Sequence, residues 1–180
     1  MVIGGGSTID AAKAASVLAT LGGPIDRYFG TALVTDALRR AQDSALATNG
    51  KKLLPVVAVQ TASSSGAHLT KYSNITDLKT GQKKLIVDEA IVPPRAVFEY
   101  DVTTSMPPGF TADGAMDGIA HMIEVLYGAV GQDFYEKAVE VAAIGVKLIV
   151  HHVERAVAGP TDLEAREALG LGTDLGAMSS

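Results

Sequence analysis

Met1-Val2-Ile3-Gly4-Gly5-Gly6-Ser7-Thr8-Ile9-Asp10-Ala11-Ala12-Lys13 reads as the end of a strand, a glycine turn and the start of a helix, and that order sets the fold class. The three glycines allow a turn tighter than side chains permit, and small and apolar residues then recur at helical spacing. The pattern predicts a helix from Thr8 to Leu21, with Ser7 as N-cap, Asp10 as its capping-box partner and Gly22-Gly23-Pro24 as its stop. Backbone N–H groups at such a turn can cradle a pyrophosphate at the positive end of the helix dipole. The same residues equally suit a plain tight turn before a capped helix, and both readings stay open.

Outward from this turn, a second helical pattern covers Thr35 to Ala47 and ends at Asn49-Gly50. Leu53 to Val59 is a short, valine-rich apolar run, the signature of a strand buried on both faces of a parallel sheet. Asn74 to Thr76 and Lys84 to Val87, joined through Lys79-Thr80-Gly81, predict a hairpin appended to that sheet. Ala96 to Tyr100 predicts one more strand before Pro107-Pro108. Beyond the prolines strand signals stop, and Phe110 to Tyr127, Phe134 to His152 and Thr161 to Met178 read as helices, the last with Thr161 as N-cap and Glu164 in capping-box position. The expected fold class is therefore α/β followed by all-α, with residues 1–105 in a partial α/β domain and 106–180 in a partial all-helical one. Both ends read as interior sequence, because a βα turn of this kind normally sits inside a larger sheet.

Composition narrows the function. At 180 residues with 47% hydrophobic content the chain can bury a substantial core. A net charge of −5 and no Lys/Arg cluster argue against nucleic acid or an anionic membrane as partner. With no cysteine, disulfides, a thiolate nucleophile and cysteine-ligated metals are excluded, and a reducing cytoplasm is the expected location. No export signal is evident, and the longest apolar stretch, Val139 to Val150, is broken by Glu140 and Lys147.

The residues with most chemistry are Asp117 and His121. Four apart on a helix, they share one face and can reach one ion. A carboxylate with an imidazole suits iron(II) or zinc(II), although such ions want at least three protein ligands, and the pair taken alone reads more readily as a plain polar helix face. The hydroxyl-rich stretch Thr61 to Thr70 follows a buried strand, where α/β proteins place ligand-binding loops. His68 within it reads either as a ligand-facing proton donor or as a hydrogen-bonded structural residue. His151 and His152 read as the end of a helix, where an imidazolium complements the dipole.

Four stretches taken in order resemble one family. Gly4-Gly-Gly-Ser-Thr-Ile-Asp10-Ala-Ala-Lys13 is similar to the glycine motif of the iron-containing, or group III metal-dependent, alcohol dehydrogenases. Thr61-Ala-Ser-Ser-Ser65-Gly66-Ala-His68-Leu-Thr70 with Ile75-Thr-Asp77 resembles that family's nicotinamide-side loop, and Met106-Pro107-Pro108 through Asp117-Gly-Ile-Ala-His121-Met-Ile-Glu124 its first metal-ligand helix. Asp162-Leu-Glu-Ala-Arg166 is similar to the start of the helix that follows.

The resemblance implies a dinucleotide-binding α/β domain, a helical metal-binding domain and an NAD(P)-dependent enzyme acting on a small alcohol or aldehyde through iron(II) or zinc(II). Carried over by position, Gly5, Gly6 and Ser7 hold the pyrophosphate, Thr61 and Ser65 face the adenine and nicotinamide sides, and Lys83 or Lys84 approaches the ribose. Asp117 and His121 become two metal ligands, and the family's other two, histidines on later helices, are expected beyond residue 180. His68 stands where the family usually has glutamate, and Asp113-Gly114-Ala115 where it has Ala-Thr-Gly. The competing expectations are a zinc polyol dehydrogenase of glycerol type and an incomplete chain acting as a binding or oligomerising module. In either case uncovered strand edges and apolar helix faces predict a homo-oligomer.

Overall fold

Val2–Gly4 forms β1 and the chain turns at once into helix α1, Gly6–Leu21, in a computed structural model that describes residues 1–43 and 51–178. The strand–turn–helix reading holds, and α1 stops at Gly22, whose φ of 71° no ordinary side chain favours. Its predicted capping does not hold. The helix starts at Gly6, so Ser7 already lies inside the first turn, the N-cap is Gly5, and no side chain caps it. Asp10 is instead buried, accepting a hydrogen bond from the Asn74 amide at 3.0 Å, while its carbonyl accepts one from the Ser73 hydroxyl at 2.8 Å.

The described residues divide into two compact units, Met1–Val59 with Lys71–Val97, and Gln60–Thr70 with Phe98–Ser180. In the first, β3 (Val57–Gln60) pairs in parallel with β6 (Arg95–Val97), and the sheet order is β1-β3-β6. Ala58 and Val59 are buried, as the apolar run requires, but pairing begins only after Pro55, which has no N–H to give a ladder. The predicted hairpin is present as β4 (Tyr72–Thr76) antiparallel to β5 (Lys83–Val87), but it is not appended to that sheet: with β2 (Gly30–Thr31), parallel to β5 on its other side, it makes a second sheet of order β2-β5-β4. Helix α2 spans Leu33–Asp43; its expected stop at Asn49-Gly50 lies outside the described residues. Val17, Tyr28, Val34, Ile86 and Ile91 form this unit's core.

The strand expected from Ala96 to Tyr100 ends early, at Val97, and Tyr100–Ser105 winds into a 3-10 turn. There the hydroxyls of Thr103 and Thr104 donate to the carbonyls three residues back, at 2.7 and 2.8 Å, which favours a turn over an extended strand. Three helices follow: α3 (Pro108–Gly128), α4 (Tyr135–Ala158) and α5 (Leu163–Met178). Met122, Ile149, Ala156, Ala165 and Leu169 are buried between them. The contacts are close because glycines make them: a Cβ on Gly145 would sit 2.3 Å from the Met122 sulfur, and one on Gly172 2.8 Å from Ile149.

Two helix-end expectations need correction. Asp162, not Thr161, caps α5, its carboxylate accepting from the Ala165 amide at 3.1 Å. Glu164 reaches outward to Arg155 at 2.8 Å rather than closing a capping box. His151 and His152 do not end α4, which continues to Ala158 because Val153 and Ala156 extend its apolar stripe; their Nδ1 atoms donate to the Lys147 and Leu148 carbonyls at 2.7 and 2.9 Å. Among the described residues no helix is long and apolar enough to cross a membrane.

Candidate active site

In the first unit the turn before α1 presents backbone. Gly5 and Gly6 are half-buried, Ser7 is exposed, and among the described residues no side chain hydrogen-bonds to cap the helix N-terminus. A Cβ on Gly4 would lie 2.6 Å from that of Thr8, so the turn takes glycine there for steric reasons. Asp10 faces β4, so its charge is not turned toward the N–H groups that would meet an anion. Of the two lysines, Lys84 is engaged by Asp77 at 2.7 Å and Asp26 at 3.3 Å and lies 5.4 Å from the centre of the Phe29 ring. The hydrogen bond from Lys84 is the largest influence holding the Asp77 carboxyl well below the usual range. Lys83 is exposed at the start of β5.

The second unit holds the remaining sequence-predicted residues. On α3 the Asp117 carboxylate and His121 Nε2 stand 3.8 Å apart, 46% and 37% exposed, so both donor atoms are accessible to one ion. That donor set fits a divalent metal as part of a site. Among the described residues no group of three or more His, Cys, Asp or Glu side chains gathers to complete it. Asp117 borders an open pocket of about 420 Å³, walled by Ala62 and Ser64 from the loop and by Met106, Phe110, Asp113 and Gly114. Thr61 and Ser65 belong to the same loop, half-buried.

Glycine brings loop and helix together. A Cβ on Gly114 would lie 2.2 Å from the Ser63 carbonyl oxygen, so α3 can approach the loop backbone only with hydrogen at that position. Gly66 has a φ of +56° and would meet the Ala177 side chain, which lets the loop pack onto α5.

His68 is 2% exposed, and its ring is engaged within the protein. The Gln60 amide donates to the Ala62 carbonyl at 2.6 Å, which turns its oxygen toward His68 Nδ1, 3.0 Å away. A carbonyl oxygen only accepts, so Nδ1 carries a proton. Nε2 lies 3.5 Å from Asp174, whose other oxygen accepts from the Tyr100 hydroxyl at 2.9 Å. Burial, reinforced by the Asp174 charge, pushes the Tyr100 phenol far up. The imidazole edge rests on Phe98, with ring centres 5.4 Å apart.

Arg166 is a second support that sequence reading missed. Buried to 1%, it donates to the Thr111 hydroxyl at 2.7 Å and to the Pro160 and Met106 carbonyls at 3.0 and 3.3 Å, fixing the start of α3 and the Met106 wall. The signal for Asp174 was available. Asp174 shares its face of α5 with Gly170, one turn earlier, where a Cβ would run into the Tyr100 ring, and a buried acid needs a partner.

The sequence model of the iron-containing alcohol dehydrogenases matches residues 1–100. The chain is 35% identical over 167 residues to the NAD-dependent methanol dehydrogenase of Bacillus methanolicus, covering 93% of this chain and 39% of that protein. It is 31% identical over 175 residues to the sulfoacetaldehyde reductase of Bilophila wadsworthia, covering 97% and 41%. The crystal structure of sulfoacetaldehyde reductase from Bifidobacterium kashiwanohense in complex with NAD+ superposes with a TM-score of 0.80 at 28% identity, covering 99% of this chain and 43% of that one. The chain thus spans about two fifths of the length of these relatives.

Proposed function

The chain belongs to the iron-containing alcohol dehydrogenase family, and from that premise we propose that it is the part of an NAD(P)-linked alcohol dehydrogenase or aldehyde reductase that carries the pyrophosphate turn and the first two metal ligands. The observation that supports this best is the Asp117–His121 pair, accessible on one face of α3 and bordering a pocket. A bound divalent ion, iron(II) or zinc(II), supplies Lewis acidity at an alcohol oxygen, and a bound nicotinamide supplies the hydride acceptor.

The chain's own residues bind and orient. Gly5, Gly6 and Ser7 offer uncapped backbone N–H groups to the pyrophosphate. Lys83, exposed and not tied up as Lys84 is, is the better placed of the two to reach a ribose. Thr61 and Ser65 supply hydroxyls from a loop held by His68 and by the close approach at Gly114. Met106 and Phe110 give the pocket apolar walls for the carbon chain of a small alcohol or aldehyde.

The test is made on the enzyme with its native flanking sequence, purified without added metal and assayed for metal content and NAD(H)-linked turnover. Asp117→Ala and His121→Ala should each lose the metal and the activity, and Gly5→Val should raise the cofactor KM by obstructing the turn. A stoichiometric metal retained in both ligand variants would refute the assignment. The metal found in the native protein separates iron from zinc, which ligand geometry barely distinguishes.

A further inference from the structure

We propose that Asp113 sets the charge preference of the pocket beside Asp117, favouring uncharged or ammonium-bearing alcohols and aldehydes over those that carry a carboxylate or sulfonate. The proposal rests on reading that pocket as the substrate site and adds the substrate class. Asp113 and Asp117 are one helical turn apart on α3, so their side chains share a face, and both border the pocket. The two carboxylates differ in their surroundings. Asp117 stands against His121 at 3.8 Å and is the one assigned to the ion. Asp113 is exposed, and among the described residues no cation pairs with it.

The other walls do not offset that charge. Met106 and Phe110 are apolar, and Ala62 and Ser64 are small and neutral. The contact at Gly114 fixes the rotation of α3 against the loop and with it the side of the helix on which Asp113 stands. In the metal-free chain a charge entering this pocket therefore meets two carboxylates, Asp113 and Asp117, and Asp113 is the one with no partner among the described residues. Even with water-like screening, two unit charges at contact distance change affinity by about fivefold, and partly desolvated walls increase the effect.

The experiment titrates the isotope-labelled 180-residue chain with n-butylammonium, 1-butanol and butyrate, following backbone amides by NMR. Shifts should centre on Ser64, Phe110, Asp113 and Gly114, with butylammonium bound at least about fivefold more tightly than butyrate and the gap narrowing as salt is raised. Asp113→Asn and, as a second neutral variant, Asp113→Ser should narrow the gap to the part that Asp117 supplies, whereas Asp113→Glu should keep it whole. Equal binding of the two ions, a gap undiminished in both neutral variants, or no shift at these amides with any probe would each overturn the proposal. Metal content of the enzyme with its native flanking sequence, compared with that of its Asp117→Ala and His121→Ala variants, reads the metal assignment separately. Metal retained in both variants with the charge order intact counts against the metal assignment alone, and metal lost in both without the order counts against Asp113 alone.

Discussion

His68 occupies a position where the resembled family usually carries glutamate, and its surroundings show why glutamate would not serve here. With Nδ1 committed to Gln60, the other nitrogen faces the Asp174 carboxylate at 3.5 Å, and Tyr100 supplies that carboxylate's second partner. A carboxylate at position 68 would oppose Asp174 at close range and low exposure. His68→Glu should lower stability by about 3–5 kcal/mol, the usual cost of leaving a buried charge without its partner, and Asp174→Asn in the same chain should restore part of it. Urea denaturation of the single and double variants measures this, and an unchanged midpoint for the single variant would refute it. Lys13 carries a different signature in the first unit. Burial lowers its pKa from 10.5 to about 8, while the Asp10 charge opposes that shift. Below pH 8 the ammonium is charged in both folded and unfolded chains; between 8 and 10.5 only the unfolded chain keeps the proton. The unfolded state then binds more protons, so this residue's contribution makes stability rise with pH across that window. Lys13→Met should abolish the rise in urea midpoint, and a wild-type midpoint unaffected by Lys13→Met across the window would contradict the shift.

At the scale of elements, helix ends separate the two kinds of capping. Ser7 is exposed inside the first turn of α1, so Ser7→Ala should change stability by no more than about 0.5 kcal/mol. Asp162 accepts from the Ala165 amide and, through its carbonyl, from the Arg166 amide, so Asp162→Ala should cost about 1 kcal/mol and lower the melting temperature. Thermal melts of the two variants side by side decide it; equal losses would contradict the assignment of caps. Most elements were legible in the sequence, because their signals are local. Gly22 stops α1, the hairpin turns at Lys79-Thr80-Gly81, and the paired prolines start α3, Pro107 as N-cap and Pro108 as its first residue. Asp117 and His121 were legible for the same reason, lying four apart on one helix. What escaped depends on distant partners. Asp10 prefers Asn74 to its own helix N-terminus, 64 residues away, and Tyr100 finds Asp174 across 74 residues, contacts that no periodicity encodes.

For the whole molecule, the notable fact is that the two compact units are interleaved in sequence. Gln60–Thr70 leaves the strand β3 and belongs to the helical unit, and the chain then returns to the first unit from Lys71 to Val97 before the helices begin. Reading the sequence alone divides the chain once, near residue 105, since local composition changes from strand-forming to helix-forming there. Local composition carries no information about where a loop of small residues will pack. The physical reason for its placement is the set of complementary features that the helices hold for it: Asp174 for His68, the bare face of Gly114 for the Ser63 carbonyl, and Ala177 against Gly66. A fragment comprising only residues 98–180 would keep its helices but lose all three contacts and leave Asp174 with only Tyr100 as a polar partner of those described. Such a fragment should retain helical far-UV circular dichroism while losing near-UV signal and amide dispersion, because secondary structure outlasts specific packing when part of a core is removed. The 180-residue chain, which contains the loop, should show dispersed resonances for Gly114, His68 and Asp174 together. A fragment 98–180 that gives sharp, dispersed spectra and a cooperative thermal transition matching the full chain would mean that Gln60–Thr70 rests on a helical unit already complete without it.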